Sequence, residues 1–513
     1  MTSSKKCKQT VEFGDFQTPV ALASEICRLL ALQGVNPASV VEPTCGTGSF
    51  LIAALDQFDN VKTALGVDIS PKYVEAASSA LQGCPWAEKV RIIRGDFFET
   101  RWIELLEDLP DPLLIVGNPP WVTNAELGAL GSSNLPVKSN FQRYSGMDAL
   151  TGKSNFDISE WMLIRMVEWL RVRRATIAML CKTAVARKVL LHAWKNRAPL
   201  ESSHIYPIDA AKTFGASVDA CLVVCQFAPA ARSDDCSVHV SISDPKETRK
   251  IGYRDGELIA EAGLYDRWKH LRGKERYKWR SGVKHDCAKV MELKKEGGRY
   301  RNGLGELIEL EEEYVFPMLK SSDLANDQGD QPRRWMLVTQ RAVGDDTTVI
   351  QHRAPKTWRY LQGHAELLDR RASTIYKDRP RFSVFGVGSY SFAPWKVAVS
   401  GLYKKLEFKV VGSFQGKPIL LDDTSYFLAC QNKQEAEYLT SLLNSSAAKE
   451  FFEARIFWDS KRPITIQVLR QLDLQAVARE MGTEAVLLKW LSRIPRSSDA
   501  AGSRDVQGVL FSS

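Results

Sequence analysis

Along the first half of the chain, apolar residues follow two alternating patterns. One recurs at helical spacing: Val20 to Leu32 is an amphipathic stretch, and another runs through Leu51, Ile52 and Leu55. The other is a short continuous run that stops abruptly. Val40–Val41 stops at Glu42, Thr63–Val67 at Asp68 and Pro112–Gly117 at Asn118, while the mixed run Lys89–Arg94, ending in Gly95-Asp96, reads as a further strand. Runs of this length, bounded by turn residues, predict buried strands. Thr18 is placed to cap the first helix, with Pro19 in its first turn. Farther on, Ser154-Asn155-Phe156-Asp157 opens a helix containing Trp161, Leu163, Val167 and Leu170, and Ala175–Cys181 predicts a strand after it. Strands alternating with helices predict an α/β fold, whose ligands bind outside the carboxyl ends of the strands.

Composition narrows this picture. At 513 residues, 44% hydrophobic and 25% charged, the chain is that of a soluble protein with room for two domains. No apolar run approaches the roughly 20 residues that span a bilayer. The polar start Met1-Thr2-Ser3-Ser4-Lys5-Lys6 lacks a signal-peptide core, so a cytoplasmic location is expected. Ten cysteines show neither C-x-x-C pairs nor histidine spacing, so free thiols and no metal site are expected. A formal charge of +8 permits a polyanionic partner without requiring one.

The candidate chemistry lies where the strands stop. At Asn118-Pro119-Pro120-Trp121 two prolines fix the backbone beside a carboxamide. A side-chain oxygen and a proline carbonyl held rigid beside an aromatic plane make a receptor for an amino group on a flat ring. Glu42-Pro43-Thr44-Cys45-Gly46-Thr47-Gly48 is a glycine-containing turn into a helix. There the backbone can approach a ligand closely, and the helix N-terminus favours a carboxylate. No Gly-Lys-Ser/Thr occurs in it, so it is not a phosphate loop. Asp68 stands about twenty residues past the turn, where an acid that holds ribose hydroxyls belongs. Asp96 is placed to accept from an adenine amino group, with Phe97 against the ring.

Phe16-Gln17-Thr18-Pro19, Glu42 to Gly48, Asp68, Asp96-Phe97 and Asn118-Pro119-Pro120-Trp121 together resemble the successive motifs of S-adenosylmethionine-dependent DNA adenine-N6 methyltransferases. Their order resembles the gamma arrangement of bacterial restriction–modification enzymes. The family usually has tyrosine or phenylalanine where this chain has Trp121, and many members have a Pro-Gly-Gly turn where this chain has Arg171-Val172-Arg173-Arg174. The resemblance implies a Rossmann-like domain with a mostly parallel seven-stranded sheet over residues 1–245, closed by Ser202–Ile208 and Ala220–Phe227. It implies Asn118, Pro119, Pro120 and Trp121 as the catalytic corner. Trp121 and Phe214, the latter in Thr213-Phe214-Gly215, would stack on the base. S-adenosylmethionine would be held by Thr18, Glu42, Thr44, Gly46, Gly48, Asp68, Asp96 and Phe97.

The second half is less patterned. Ala228 to Asp235 has linker character, and the strand-like Ser237–Ser243 follows. Tyr265 to His285 interleaves basic residues with Tyr265, Trp268, Tyr277 and Trp279, which suits phosphate contacts with aromatic faces free for stacking. Lys278, Arg280 and Lys284 are the candidate DNA contacts. Short β-like runs occur at Phe382–Phe385, Lys396–Val399 and Tyr426–Ala429. With looser family resemblance at Trp279–Lys284, Tyr314–Lys320 and Tyr438–Ser445, these imply a mixed α/β target recognition domain over residues 250–480. The serine-, glycine- and alanine-rich stretch at 495–513 is expected to be disordered.

These readings converge on a monomeric enzyme that methylates the N6 amine of an adenine flipped out of double-stranded DNA. Any cognate restriction endonuclease is expected on a separate chain, because no acidic-and-lysine nuclease constellation is evident. Methylation of DNA cytosine-N4, of RNA or of protein glutamine remains open, since similar corners serve other planar nitrogens.

Overall fold

The computed structural model describes residues 16–122, 157–326 and 331–492. The chain divides into two compact units, Met1–Ala262 and Gly263–Ser513. Ser154, Asn155 and Phe156, and the stretch at 495–513, lie outside the described residues.

The first unit is built on one sheet. Its strands are β1 (Ser39–Glu42), β2 (Thr63–Asp68), β3 (Val90–Arg94), β4 (Leu113–Gly117), β5 (Ala175–Lys182), β6 (Leu200–Ile208), β7 (Ala220–Phe227), β8 (Asp235–His239), β9 (Glu247–Arg254) and β10 (Glu257–Ile259). The helices between them are α1 (Val20–Leu32), α2 (Ser49–Gln57), α3 (Pro71–Leu81), α4 (Trp102–Glu107), α5 (Ile158–Trp169), α6 (Thr183–Lys195) and α7 (Ala210–Phe214). The spatial order is β10-β9-β8-β6-β7-β5-β4-β1-β2-β3. Strands β3, β2, β1, β4 and β5 run parallel, and β7 is antiparallel to both β5 and β6. Every residue of β1 and β4 is buried, as continuous apolar runs covered on both faces require.

Two expectations are corrected here. The sheet has ten strands rather than seven, because β8 adds parallel to β6 and β9 and β10 follow antiparallel. Strand β9 buries little, and charged residues such as Glu247, Arg249 and Lys250 mask its pattern. The first compact unit runs on through β8, β9 and β10 to Ala262. Thr18 does not cap α1: Pro19 is the N-cap, its carbonyl accepting from Leu22 at 3.0 Å and Ala23 at 3.1 Å, with no side-chain cap bond.

The turn without Pro-Gly-Gly is built by an arginine. Arg173 Nε donates to Asp111 Oδ1 at 2.8 Å, and its guanidinium also donates to the carbonyls of Leu106 (2.6 Å) and Leu109. A cation thus collects carbonyls around the C-terminus of α4, where the helix dipole favours it.

The second unit is mixed α/β. A four-stranded antiparallel sheet holds Arg280–Ser281, Ser425–Cys430, Trp395–Ser400 and Lys409–Val411 in that order. Helices including Lys433–Leu443, Ser446–Glu453 and Leu474–Glu480 share a core with it through Val397, Leu428, Leu439, Phe452 and Val477. A six-stranded sheet has its own core around Val290, Met318, Trp335 and Leu361. Phe382–Phe385 is not a strand. Phe382 sits at φ 65°, and Phe385 makes only an isolated bridge to Lys284. Among the described residues no helix is long and apolar enough to cross a membrane.

Candidate active site

Strand order alone gathers the expected residues. Glu42 and Asp68 end β1 and β2, Asp96 follows β3 and Asn118 follows β4, and these four strands are neighbours. Their carboxyl ends form one edge of the sheet, the ligand-binding edge of open α/β folds.

The glycine turn is folded around the two acids. Asp68 is buried, and its oxygens accept the N–H groups of Gly46 (2.9 Å) and Ser70 (2.8 Å). Glu42 is 3% exposed and accepts from the Leu51 N–H at 3.2 Å. Burial pushes its carboxyl well above the usual range, and the negative charge of Asp68 pushes the same way. Gly46 at φ 49° and Gly48 at φ 82° take left-handed conformations that other residues adopt at a cost, and Gly48 is the N-cap of α2. Thr44 precedes the buried Cys45, whose thiol burial also pushes up, so it is no ready nucleophile.

At the end of β4, Asn118 Nδ2 donates to the main-chain carbonyl of Phe16 at 2.8 Å. Its Oδ1 is buried and has no hydrogen-bond partner. Among the described residues no hydrogen bond reaches the carbonyl of buried Pro119 either. Pro120, partly buried, completes the rigid step to Trp121. The Trp121 indole is 5% exposed, and its N–H donates to the Leu180 carbonyl of β5 at 3.3 Å. Phe16, Trp121 and Phe214 form one aromatic group, with centroids 5.6 Å apart for Phe16–Trp121, 5.2 Å for Trp121–Phe214 and 5.9 Å for Phe16–Phe214. The structure therefore brings Phe214 against Trp121. It adds Phe16, which touches Asn118 through its backbone and Trp121 through its ring. Beside this corner Lys182, the last residue of β5, pairs with Asp157 Oδ2 at 2.7 Å, and Asp157 caps α5. Sequence inspection missed that pair, whose members lie far apart in the chain.

Asp96 accepts the Phe98 N–H at 2.8 Å, which leaves its second oxygen for a ligand. Phe97 departs from expectation. Its ring packs among Trp102 (5.3 Å), Trp169 (5.6 Å), Phe98 (5.7 Å) and Trp161 (6.1 Å), so its faces are already covered. Trp102 Nε1 also donates to the Phe97 carbonyl at 2.8 Å. Phe97 anchors the loop that carries Asp96 rather than offering an open ring.

In the second unit the basic stretch also reads differently. Tyr265, Tyr277 and Trp279 are buried, and the half-buried Trp268 donates its N–H to Glu450 at 2.7 Å. Burial alternates from Arg276 to Ser281, so the aromatics face the core while Arg276 and Lys278 face outward. The expected free stacking faces are core residues. Arg280 lies 4.4 Å from the Tyr390 ring centre, and Lys284 pairs with Asp286 (3.5 Å) and Asp423 (4.0 Å). Among the described residues no cluster of histidine, cysteine and acid could hold a metal ion.

Residues 4–185 fit the family model described as N-6 DNA Methylase. The type II methyltransferase M.NspV of Nostoc sp. is 46% identical over 473 residues, which is 92% of this chain and 98% of that protein. The type II methyltransferase M.XamI of Xanthomonas campestris pv. amaranthicola is 26% identical over 115 residues, 22% of this chain and 21% of its own. Among solved structures, the type IIL restriction–modification enzyme MmeI in complex with DNA has a TM-score of 0.52 at 14% identity, covering 93% of this chain and 68% of that one. That likeness is one of fold. The chain belongs to the type II methyltransferases, and its N-terminal part is an N-6 DNA methylase domain.

Proposed function

We propose that the enzyme transfers a methyl group from S-adenosylmethionine to the N6 amine of an adenine flipped out of double-stranded DNA, as the modification component of a restriction–modification system. The observation that carries this reading is the buried, unpartnered Asn118 Oδ1, on an amide whose other end is tied to Phe16. A buried acceptor without a donor is costly unless a substrate supplies one.

The residues fit the cofactor. Glu42 and Asp68 are two buried carboxyls, the charge of Asp68 opposes ionisation of Glu42, and a ligand bearing a positive centre would offset that. Thr18, Glu42, Thr44, Gly46 and Gly48 would hold the methionine portion. Asp68, at the end of β2 and tied to the turn through the Gly46 N–H, would hold the ribose hydroxyls. Asp96 would take the adenine amino group on a loop anchored by Phe97. When bound, the cofactor supplies an electrophilic methyl group on a sulfonium sulfur.

The exocyclic amine is a poor nucleophile because its lone pair is delocalised into the ring. Asn118 Oδ1 and the Pro119 carbonyl, accepting both amine hydrogens, would draw that pair out of conjugation and aim it in line for displacement. This is positioning plus electrostatics, and no covalent enzyme intermediate is needed. Unstacking the base costs a few kcal/mol, and stacking on Trp121, with Phe214, returns roughly 1–3 kcal/mol. The second unit, as target recognition domain, would supply the rest through phosphate contacts from Lys278, Arg280 and Lys284. The family match favours adenine over cytosine-N4, RNA or protein glutamine. The enzyme would act in the cytoplasm as a monomer, with any endonuclease on a separate chain.

Long-read sequencing of DNA from a host expressing the protein tests reaction, base and motif together. N6-methyladenine at one sequence motif is expected, and none with Asn118→Ala, whose cofactor binding by calorimetry stays largely intact. N4-methylcytosine, or undiminished methylation by Asn118→Ala, would overturn the reading.

A further inference from the structure

The segment ahead of α1 touches the site at two points one residue apart. Phe16 offers its carbonyl to Asn118 Nδ2 at 2.8 Å. Gln17 Oε1 accepts the Thr47 N–H at 3.2 Å and the Thr47 hydroxyl at 3.4 Å. We propose that Gln17 is a positioning residue that couples the glycine turn to the carboxamide of Asn118; this rests on the adenine-methylating reading of that site.

The Phe16 carbonyl and the Gln17 nitrogen share one planar peptide. Turning that plane moves the oxygen that sets the direction of the Asn118 amide. What pins the plane on its other side is the Gln17 side chain. The Gln17 carboxamide lies flat against the glycine turn: a Cβ on Gly46 would fall 2.6 Å from Oε1 and 3.0 Å from Nε2. Gly46 in turn donates to Asp68 at 2.9 Å. One continuous series of contacts therefore runs from Asp68 through Gly46 and Thr47 to Gln17, across a single peptide to Phe16, and on to Asn118. The turn expected to hold the methyl donor and the amide expected to hold the acceptor amine are placed relative to each other by two consecutive residues. In a displacement that needs donor and acceptor in line, this distance and angle govern the rate more than the affinity.

The experiment compares Gln17→Ala and Gln17→Glu in the full chain, measuring kcat, KM for cofactor and DNA, and 2-aminopurine fluorescence at the target base. Gln17→Ala should lower kcat about tenfold, with KM for DNA and the fluorescence of base extrusion unchanged. Gln17→Glu keeps an acceptor oxygen for Thr47 and should restore kcat to within about threefold of the parent. An unchanged kcat in Gln17→Ala, or a loss that Gln17→Glu does not restore, would overturn the proposal. So would tighter cofactor binding with a faster rate, which would make Gln17 a competitor for the turn. Asn118→Ala in the same assays separates the two levels. If Asn118→Ala stays active, the site reading itself fails; if it is inactive while Gln17→Ala behaves as the parent, only the coupling fails.

Discussion

The Asn118 Nδ2 donates to the Phe16 carbonyl at 2.8 Å across 102 residues of sequence, and this bond fixes which end of the carboxamide is tied to the protein. With one amide hydrogen given to Phe16, the donor end is tied and the buried Oδ1 is left without a partner. Aspartate at this position has nearly the same shape but no donor, so Asn118→Asp sets a carboxylate oxygen against the Phe16 carbonyl. We expect kcat to fall by about 10²–10³-fold, the usual effect of losing one preorganised hydrogen-bonding group. Cofactor affinity by calorimetry should change little. A parent-like rate would show that the orientation of the amide is immaterial.

Trp121 is wider than the ring the family usually places here, and the structure shows how the extra width is accommodated. Its indole N–H reaches into the sheet to the Leu180 carbonyl, while its ring meets Phe214 edge to face at 5.2 Å. Two rings with a base between them stand about 7 Å apart, twice the ordinary contact distance between aromatic faces. A base stacked on Trp121 must therefore displace Phe16 or Phe214 from it. Trp121→Phe keeps a stacking plane and loses the anchor, so stability should drop by about 1–2 kcal/mol in denaturant melts. Methyl transfer should stay within about tenfold of the parent. A loss as deep as that of Asn118→Ala would give the indole N–H a part in the chemistry.

The sites that could be read from sequence are those where a strand stops. Glu42, Asp68 and Asn118 were legible because an apolar run ending in a polar residue marks the carboxyl end of a buried strand, and Asp96 because it follows the β-branched run of Val90–Arg94, which is not itself buried. Their meeting on one edge follows from the order β3-β2-β1-β4. What was not legible depends on which face a side chain takes. Tyr277 and Trp279 look available among Lys274, Arg276, Lys278 and Arg280, yet period-two alternation turns the aromatics inward. Phe97 shares the fate of Tyr277: its aromatic partners come from α4 and α5, and nothing at residues 95–98 announces them. The Asn118–Phe16 bond is of the same kind, since each residue is ordinary until the fold brings them together.

Arg173 shows a local motif replaced by a side chain. Where relatives use a Pro-Gly-Gly turn, its guanidinium ties Asp111 and the Leu106 and Leu109 carbonyls together ahead of β4. The group is mostly covered, with 17% of the side chain exposed, so its bonds are poorly replaced by water. Arg173→Ala should cost about 2–3 kcal/mol of stability, since it strips charged bonds from several acceptors at once. Arg173→Lys should recover only part, because a point charge cannot span the three acceptors. Equal stability of Arg173→Lys and the parent, by thermal melts, would contradict the forked geometry.

Lys396 makes the second unit's stability depend on pH. It lies in Trp395–Ser400 with 1% of its surface exposed, and its Nζ donates to the Ala393 carbonyl at 2.8 Å, near the face of Phe427. Burial lowers its pKa from 10.5 to about 7. Because the folded value lies below the unfolded one, the unfolded chain binds more protons between these limits, so stability rises with pH from about 7 toward 10.5. Below pH 7 both states are protonated, and the cost of burying the ammonium is fully present, at a few kcal/mol. Lys396→Met keeps the length of the side chain and removes the charge, at the smaller cost of an unpaired Ala393 carbonyl. The variant should melt at higher temperature than the parent at pH 6–7, and the difference should shrink as pH approaches 10. A variant less stable at pH 7, or a difference that does not change with pH, would mean that Lys396 is held charged in the folded protein.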